Sequence, residues 1–188
     1  MSQRFIVPVA LSLSLSLSLA SAVALHPAAA AVHTLGPVST VPAASKTYVN
    51  AASHYSFTYP ATWVANRGHG FDITVVDSGG AGGFIAASVK GTQSAARIRQ
   101  SLDRLLGLVA PIQGTIARGT MSISGVSFQT ASDRGKSRSN GTLSDNTAYG
   151  ASYHGITYLF LGGYDLNRAA TATLRAELPA IISSIRIS

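Results

Sequence analysis

Tyr55-Ser-Phe-Thr-Tyr-Pro-Ala-Thr-Trp63 can be laid down in few ways. Tyr55, Phe57 and Tyr59 stand at every second position, with Ser56 and Thr58 between them. Successive side chains of a strand point to opposite faces, so the run predicts a strand with one aromatic and one polar face. The rings have to be buried, and the strand is expected in the middle of a mostly antiparallel sheet. Pro60 ends it, because proline offers no N–H to a ladder and holds its predecessor extended. Trp63, the single tryptophan, follows within a turn, placed to fold back over the strand end as a core anchor.

The rest of the chain switches between two periods. Asn66–Gly70 predicts a turn. Phe71 to Asp77 predicts a strand, with Phe71, Ile73 and Val75 on one face and Asp72 and Thr74 on the other. Gly79–Gly83 connects to a third strand over Phe84–Lys90. From Ser94 to Val109 the apolar residues Ala95, Ile98, Leu102, Leu105, Leu106 and Val109 fall at steps of three and four, which is one helix face closed by Pro111. Thr115–Ile123 predicts a strand broken by Gly119, and Gly125–Thr130 another. Arg134–Ser144 is polar and predicts a loop. Thr147–His154 and Ile156–Leu161 predict a hairpin turning at His154-Gly155. Asp165 or Asn167 is expected to cap a second helix along Leu166, Ala170, Leu174 and Leu178, which Pro179 kinks or ends. Ile181–Ile187 closes the chain as a last turn and a short edge strand. Helices do not alternate with strands, which argues against a doubly wound parallel sheet. The fold class expected is α+β: a central antiparallel sheet with packed helices, an α/β/α sandwich.

Residues 1–31 read as a secretory signal. Arg4 supplies the positive end, Phe5–Leu25 is apolar or small, and Ala28–Ala31 offers cleavage positions. An uncleaved membrane anchor is the alternative, since the apolar run is about long enough to span a bilayer. Residues 32–47 read as a linker and residues 48–188 as one domain. There is no Cys, hence no disulfide and no lipid-bearing Cys. The net charge is +7, and loss of Arg4 with the leader leaves +6. Such charge keeps an exported domain soluble and suits an anionic envelope component.

Little of the usual catalytic equipment is present. The acidic residues are Asp72, Asp77, Asp103, Asp133, Asp145, Asp165 and Glu177. None forms an evident acid–base pair: Asp72 and Asp77 fall on opposite strand faces, Asp77, Asp133 and Asp145 border turns, and Asp165 serves as a cap. His54, His69 and His154 lack metal-ligand spacing, so no metal or cofactor is expected. Gly150-Ala-Ser-Tyr-His-Gly155 is one residue too long for a nucleophile elbow, which makes Ser152 a strand residue. The least ordinary stretch is Asp133-Arg-Gly-Lys-Ser-Arg138. Arg134, Lys136 and Arg138 put three cations in five positions, able to grip a phosphate, sulfate or acidic sugar, with Arg118 as a possible addition. No aromatic residues interleave them, which argues against nucleic acid. A pocket beside Trp63 is the other candidate ligand site.

Tyr55-x-Phe57-x-Tyr59-Pro60-x-x-Trp63 resembles the PsbP-like superfamily. So do Leu102-x-x-Leu105-Leu106, Gly125-x-x-Phe128, His154-Gly155-Ile156-Thr157-Tyr158 and the closing Ser183-Ser184-Ile185-Arg186-Ile187, in that order. The resemblance spans Tyr48 to Ile187. It implies a sandwich around an antiparallel sheet and no single activity: members act as assembly or docking subunits, as partners of small GTPases in a eukaryotic branch, or have no known role. No family binding residue maps onto a position here. The function expected is a secreted, non-enzymatic interaction or docking domain of the envelope or extracellular space. The partner expected is an unknown protein or an anionic envelope component. The alternative is a small-ligand or anion carrier using Trp63 or the Arg134–Arg138 loop. N-terminal sequencing of the exported chain should read from close to Val32; an intact leader would establish the anchored alternative.

Overall fold

The computed structural model describes residues 44–68, 70–109, 116–136 and 141–188, which fall in one compact unit. The leader, most of the linker, His69, Pro111 and Arg138 lie outside the described residues. Ten strands and two helices follow in the order β1 Ser45–Asn50, β2 Tyr55–Pro60, β3 Val64–Gly68, β4 Phe71–Val76, β5 Gly82–Lys90, α1 Ala95–Val109, β6 Ala117–Ile123, β7 Val126–Lys136, β8 Leu143–Tyr153, β9 Ile156–Asp165, α2 Thr171–Ser184 and β10 Arg186–Ile187. They form a seven-stranded sheet, β3-β4-β5-β9-β8-β7-β6, and a three-stranded sheet, β1-β2-β10. Every pairing in both sheets is antiparallel. The fold is α+β, as the pattern of periods implied. β1 opens at Ser45, ahead of the domain start expected at Tyr48.

The aromatic run is indeed a strand with alternate residues buried, and Pro60 is its last residue. It is a middle strand, but of the small sheet rather than the large one. Tyr55, Phe57 and Tyr59 turn inward onto the large sheet and α2, forming the larger of two cores. Phe57 meets Phe84 of β5 edge-on at 5.0 Å, and Phe84 stacks on Phe160 of β9 at 5.9 Å. Phe128 of β7 stacks on Phe160 at 5.6 Å. β8 runs between β7 and β9, and its buried Ala151 on this face is small enough to let those rings meet. Trp63 is 2% exposed, a core anchor, and its Nε1 donates to Glu177 Oε2 of α2 at 3.2 Å.

The opposite face of the large sheet is covered by α1. Ile98, Leu102, Leu105 and Leu106 pack on Ala131, Ala148, Leu159 and Leu161. Ser94 caps the helix, its Oγ accepting from the Arg97 N–H at 3.3 Å. The helix rides directly on Gly150: a Cβ there would stand 2.7 Å from Ile98 Cγ2 and 3.0 Å from Leu102 Cδ2.

Several elements depart from the sequence reading. The chain after Trp63 forms β3 before it turns, with an irregularity between Asn66 and Gly68, because pairing with β4 satisfies its backbone. Phe71 joins the core under α1 while Ile73 and Val75 join the other, so strict alternation fails at the start of β4. Gly119 does not break β6; it pairs with Thr130 in register. Arg134, Lys136, Asp133 and Asp145 are strand residues, since β7 and β8 continue their ladder to Lys136–Leu143. Asp165 does not cap α2. It ends β9, where its N–H donates to Ala81 O, and the N-cap is Ala170 without a side-chain bond. Pro179 lies inside α2, which continues to Ser184 because Ile181 and Ile182 are held in the core. The His154-Gly155 turn is as expected, with φ of 46° and 77°.

Trp63→Ala should lower stability by about 3–5 kcal/mol, the range for deleting a buried large aromatic. An unchanged melting temperature would show the indole to be dispensable. Gly150→Ala should cost about 1–3 kcal/mol through overpacking under α1; a melting temperature equal to the parent would refute the close approach.

Candidate functional site

The sequence candidates do not converge on one site. Trp63 is sealed in the core, so the indole offers no surface to a ligand. A pocket of about 210 Å³ lies nearby, lined by Ser45, Thr58, Tyr59, Pro60, Glu177, Ala180 and Ile181, but Trp63 reaches it only through Glu177. Arg134 and Lys136 project two residues apart from the end of β7, and Arg134 is engaged by Asp145 at 3.2 Å. Arg118 does not join them. It faces α1 and holds Asp103 with one nitrogen, at 2.8 and 3.0 Å from the two carboxylate oxygens. Ser152 is a strand residue whose Oγ is shared with Thr157 Oγ1 at 2.8 Å and the Gln93 backbone. His54 and His154 sit at left-handed turn positions. No group of three or more potential metal ligands occurs among the described residues.

Asp72, tested above as an acid–base candidate, is a structural latch. Its Oδ2 accepts from Tyr55 Oη at 2.9 Å and from Ser88 Oγ at 2.6 Å. Ser88 also bonds Ser53 Oγ, and Tyr158 Oη donates to Ser53 O at 3.0 Å. These bonds tie the small sheet and its following turn to β4, β5 and β9. Asp77 is a turn residue, as expected, its carboxylate accepting from the N–H groups of Gly79 and Ala81.

What the sequence reading missed is a groove along α2. Arg175, Leu178, Pro179, Ile182 and Ser183 lie at helical steps of three and four, forming one wall. The floor is built from β6, β8 and β9. Two pockets run end to end: one of about 210 Å³ between Asp145, Thr147, Tyr149, Tyr164 and the wall, and one of about 340 Å³ between Met121, Ile123, Tyr149 and the wall. Tyr149, Pro179 and Ile182 belong to both. α2 leaves this floor open because it is drawn over β5 and β9, where Gly82 and Gly162 let Leu174 and Leu178 settle close to the sheet. Arg175 lies over the Tyr164 ring at 6.0 Å, and the Arg134–Asp145 pair stands at the same end. At the other end β6 is the sheet edge, its outer backbone unpaired by any described strand and Met121 46% exposed. Helix spacing hinted at the wall; the floor depended on strand pairing.

No protein-family model matches the sequence, and no curated protein matches it. Solved structures match the fold. Cyanobacterial PsbP (CyanoP) from Synechocystis aligns with a TM-score of 0.55 at 15% identity, covering 82% of this chain and 99% of that one. LpqN of Mycobacterium tuberculosis, involved in cell envelope biogenesis, aligns at 0.50 and 15% identity, covering 80% and 87%. The Ran-binding protein Mog1p of Saccharomyces cerevisiae aligns at 0.52 and 6% identity, covering 77% and 96%. The fold is PsbP-like.

Burial, then the Asp72 charge and the bond to it, push the Tyr55 phenol far above 10.0. Burial also raises Tyr48, Tyr149 and Tyr158. In the unfolded chain these phenols ionise near 10.0, so their contribution to stability is complete below that pH and declines above it. Urea midpoints should fall between about pH 9 and about pH 11, less steeply in Tyr55→Phe. A midpoint independent of pH across that window would contradict the assignment.

Proposed function

We propose that this PsbP-like domain is a secreted, non-enzymatic docking module of the cell envelope or extracellular space, holding its partner along the α2 groove. The observation that carries the reading is the junction of an open sheet edge with an apolar groove. β6, which no described strand pairs on its outer side, presents edge N–H and C=O groups to an incoming extended segment. Its one charge, Arg118, is already held by Asp103. Beside it Met121, Ile123, Tyr149, Pro179 and Ile182 line a pocket able to take alternate side chains of that segment. The leader-like residues 1–31 support export. LpqN's role in envelope biogenesis and Mog1p's binding of Ran support a fold used for contact rather than catalysis.

In the carrier reading the buried Trp63 indole is not itself a contact surface, and a ligand near it would sit in the pocket lined by Tyr59, Pro60 and Glu177. Its other version shifts to the groove end, where Arg134 and Arg175 flank a pocket; Lys136 lies two residues beyond on the same strand.

Met121→Asp places a charge at the mouth of the groove on an exposed side chain. It should abolish co-purification of an envelope partner retained by the parent, with little change in melting temperature. A partner held equally by both proteins would place docking elsewhere. Turnover of a substrate by the purified chain in a broad hydrolase screen would end the non-enzymatic reading.

A further inference from the structure

The positive charge of this chain is not spent evenly. Arg118, Arg134 and Arg168 each hold a carboxylate. Arg67 and Arg175 lie over tyrosine rings, and Arg186 bonds main-chain carbonyls. Arg97 and Arg104 of α1 make no ion pair among the described residues. They stand seven residues apart, two helical turns or about 10 Å along the axis. Both line one cavity of about 310 Å³ with Gln93, Gln100 and Ser101, and no carboxylate among the described residues lines it. Gln93 is fixed in place: its N–H donates to Ser152 Oγ at 3.0 Å, and its Oε1 accepts a long bond from Ser101 Oγ at 3.5 Å. With that oxygen engaged, its amide NH₂ remains available as a donor to the cavity.

We infer that this flank of α1 is an oxyanion site that takes a phosphate group. Two forked guanidinium groups and two amides supply more donors than the two oxygens of a carboxylate can receive. A phosphate offers three or four oxygens and a higher charge, and its geometry matches the guanidinium fork. The Arg97 end is also the N-terminal turn of α1, whose dipole favours an anion. The site faces away from the α2 groove across the large sheet, so a groove that captures nothing leaves it intact. The phosphate is either free in solution or the headgroup of a lipid surface. Leu108, one turn beyond Arg104 and 57% exposed, lies where a lipid source would use it.

The test titrates the full chain with inorganic phosphate while following its amide resonances. Residues 93–104 should shift and saturate. Arg97→Gln with Arg104→Gln should weaken the response about a hundredfold, since each lost charged hydrogen bond removes roughly one factor of ten. Arg134→Gln with Lys136→Gln should leave it unchanged. Resonance dispersion outside α1 reports that each variant is folded. No shift in α1, a response undiminished in the α1 double variant, or one that disappears with the Arg134 and Lys136 changes would each overturn the site. Co-sedimentation with phosphatidylglycerol and phosphatidylcholine vesicles then assigns the source. Preference for phosphatidylglycerol that the α1 double variant loses supports the site with a lipid headgroup. Equal binding to both vesicles, beside a positive phosphate titration, supports it with a soluble phosphate.

Discussion

The ring contact between Phe57 and Phe84, 5.0 Å apart, is where the two sheets become one structure. The small sheet cannot stand alone. β1 and β2 form a two-stranded ladder to which β10 adds only two residues, and such a ladder is marginal in water. Its stability is supplied by what its rings bury. Tyr48, Tyr55, Phe57 and Tyr59 each turn onto Phe84, Phe160, Tyr158 or one another at 5.0–6.0 Å. Rings of this kind bury on the order of 150–250 Å² each. The Asp72 latch adds bonds to Tyr55 and Ser88 that tie the small sheet to β4 and β5.

A layer this close requires small residues beneath it. Ala151 lets Phe128 and Phe160 meet across β8, and Gly150 on the other face of the same strand lets α1 settle on the sheet. Gly82 and Gly162 do the same for α2 over β5 and β9. The position of α2 is thus set by where the sheet lacks side chains. The neighbouring strands β6 and β8 carry Met121, Thr147 and Tyr149 instead, and these line the groove beside the helix. The candidate docking site follows from the packing rule that places the helix.

Charge is distributed by the same geometry. The stretch from Arg134 to Lys136 looks free when read as a loop. As strand, it lies across from Asp145, and one of its cations is engaged. Arg118 is turned by its strand parity towards α1 and Asp103. Arg97 and Arg104, without an ion pair among the described residues, lie on the outer flank of α1, on the opposite side of the large sheet from the groove. The apolar groove and the cationic pocket thus lie on opposite faces of the large sheet.

Local pattern was enough for the aromatic strand, the apolar face of α1, the His154-Gly155 turn and the class of fold, because each depends on periodicity or backbone geometry within a few residues. The motifs in order were also enough to point to the PsbP-like fold. The reading failed where partners distant in sequence decide the outcome. Arg134 and Asp145 became strand because a ladder can continue through polar residues. Pro179 does not end the helix, which runs on through Ile181 and Ile182, held in the core. Asp165 is not the cap because α2 begins only at Thr171, leaving Asp165 as the end of β9. The groove and the α1 pocket are of the same kind. Their residues are visible in the sequence, but which of them meet, and which charges remain unpaired, is settled by strand order and helix placement. Those are long-range choices that no local period encodes.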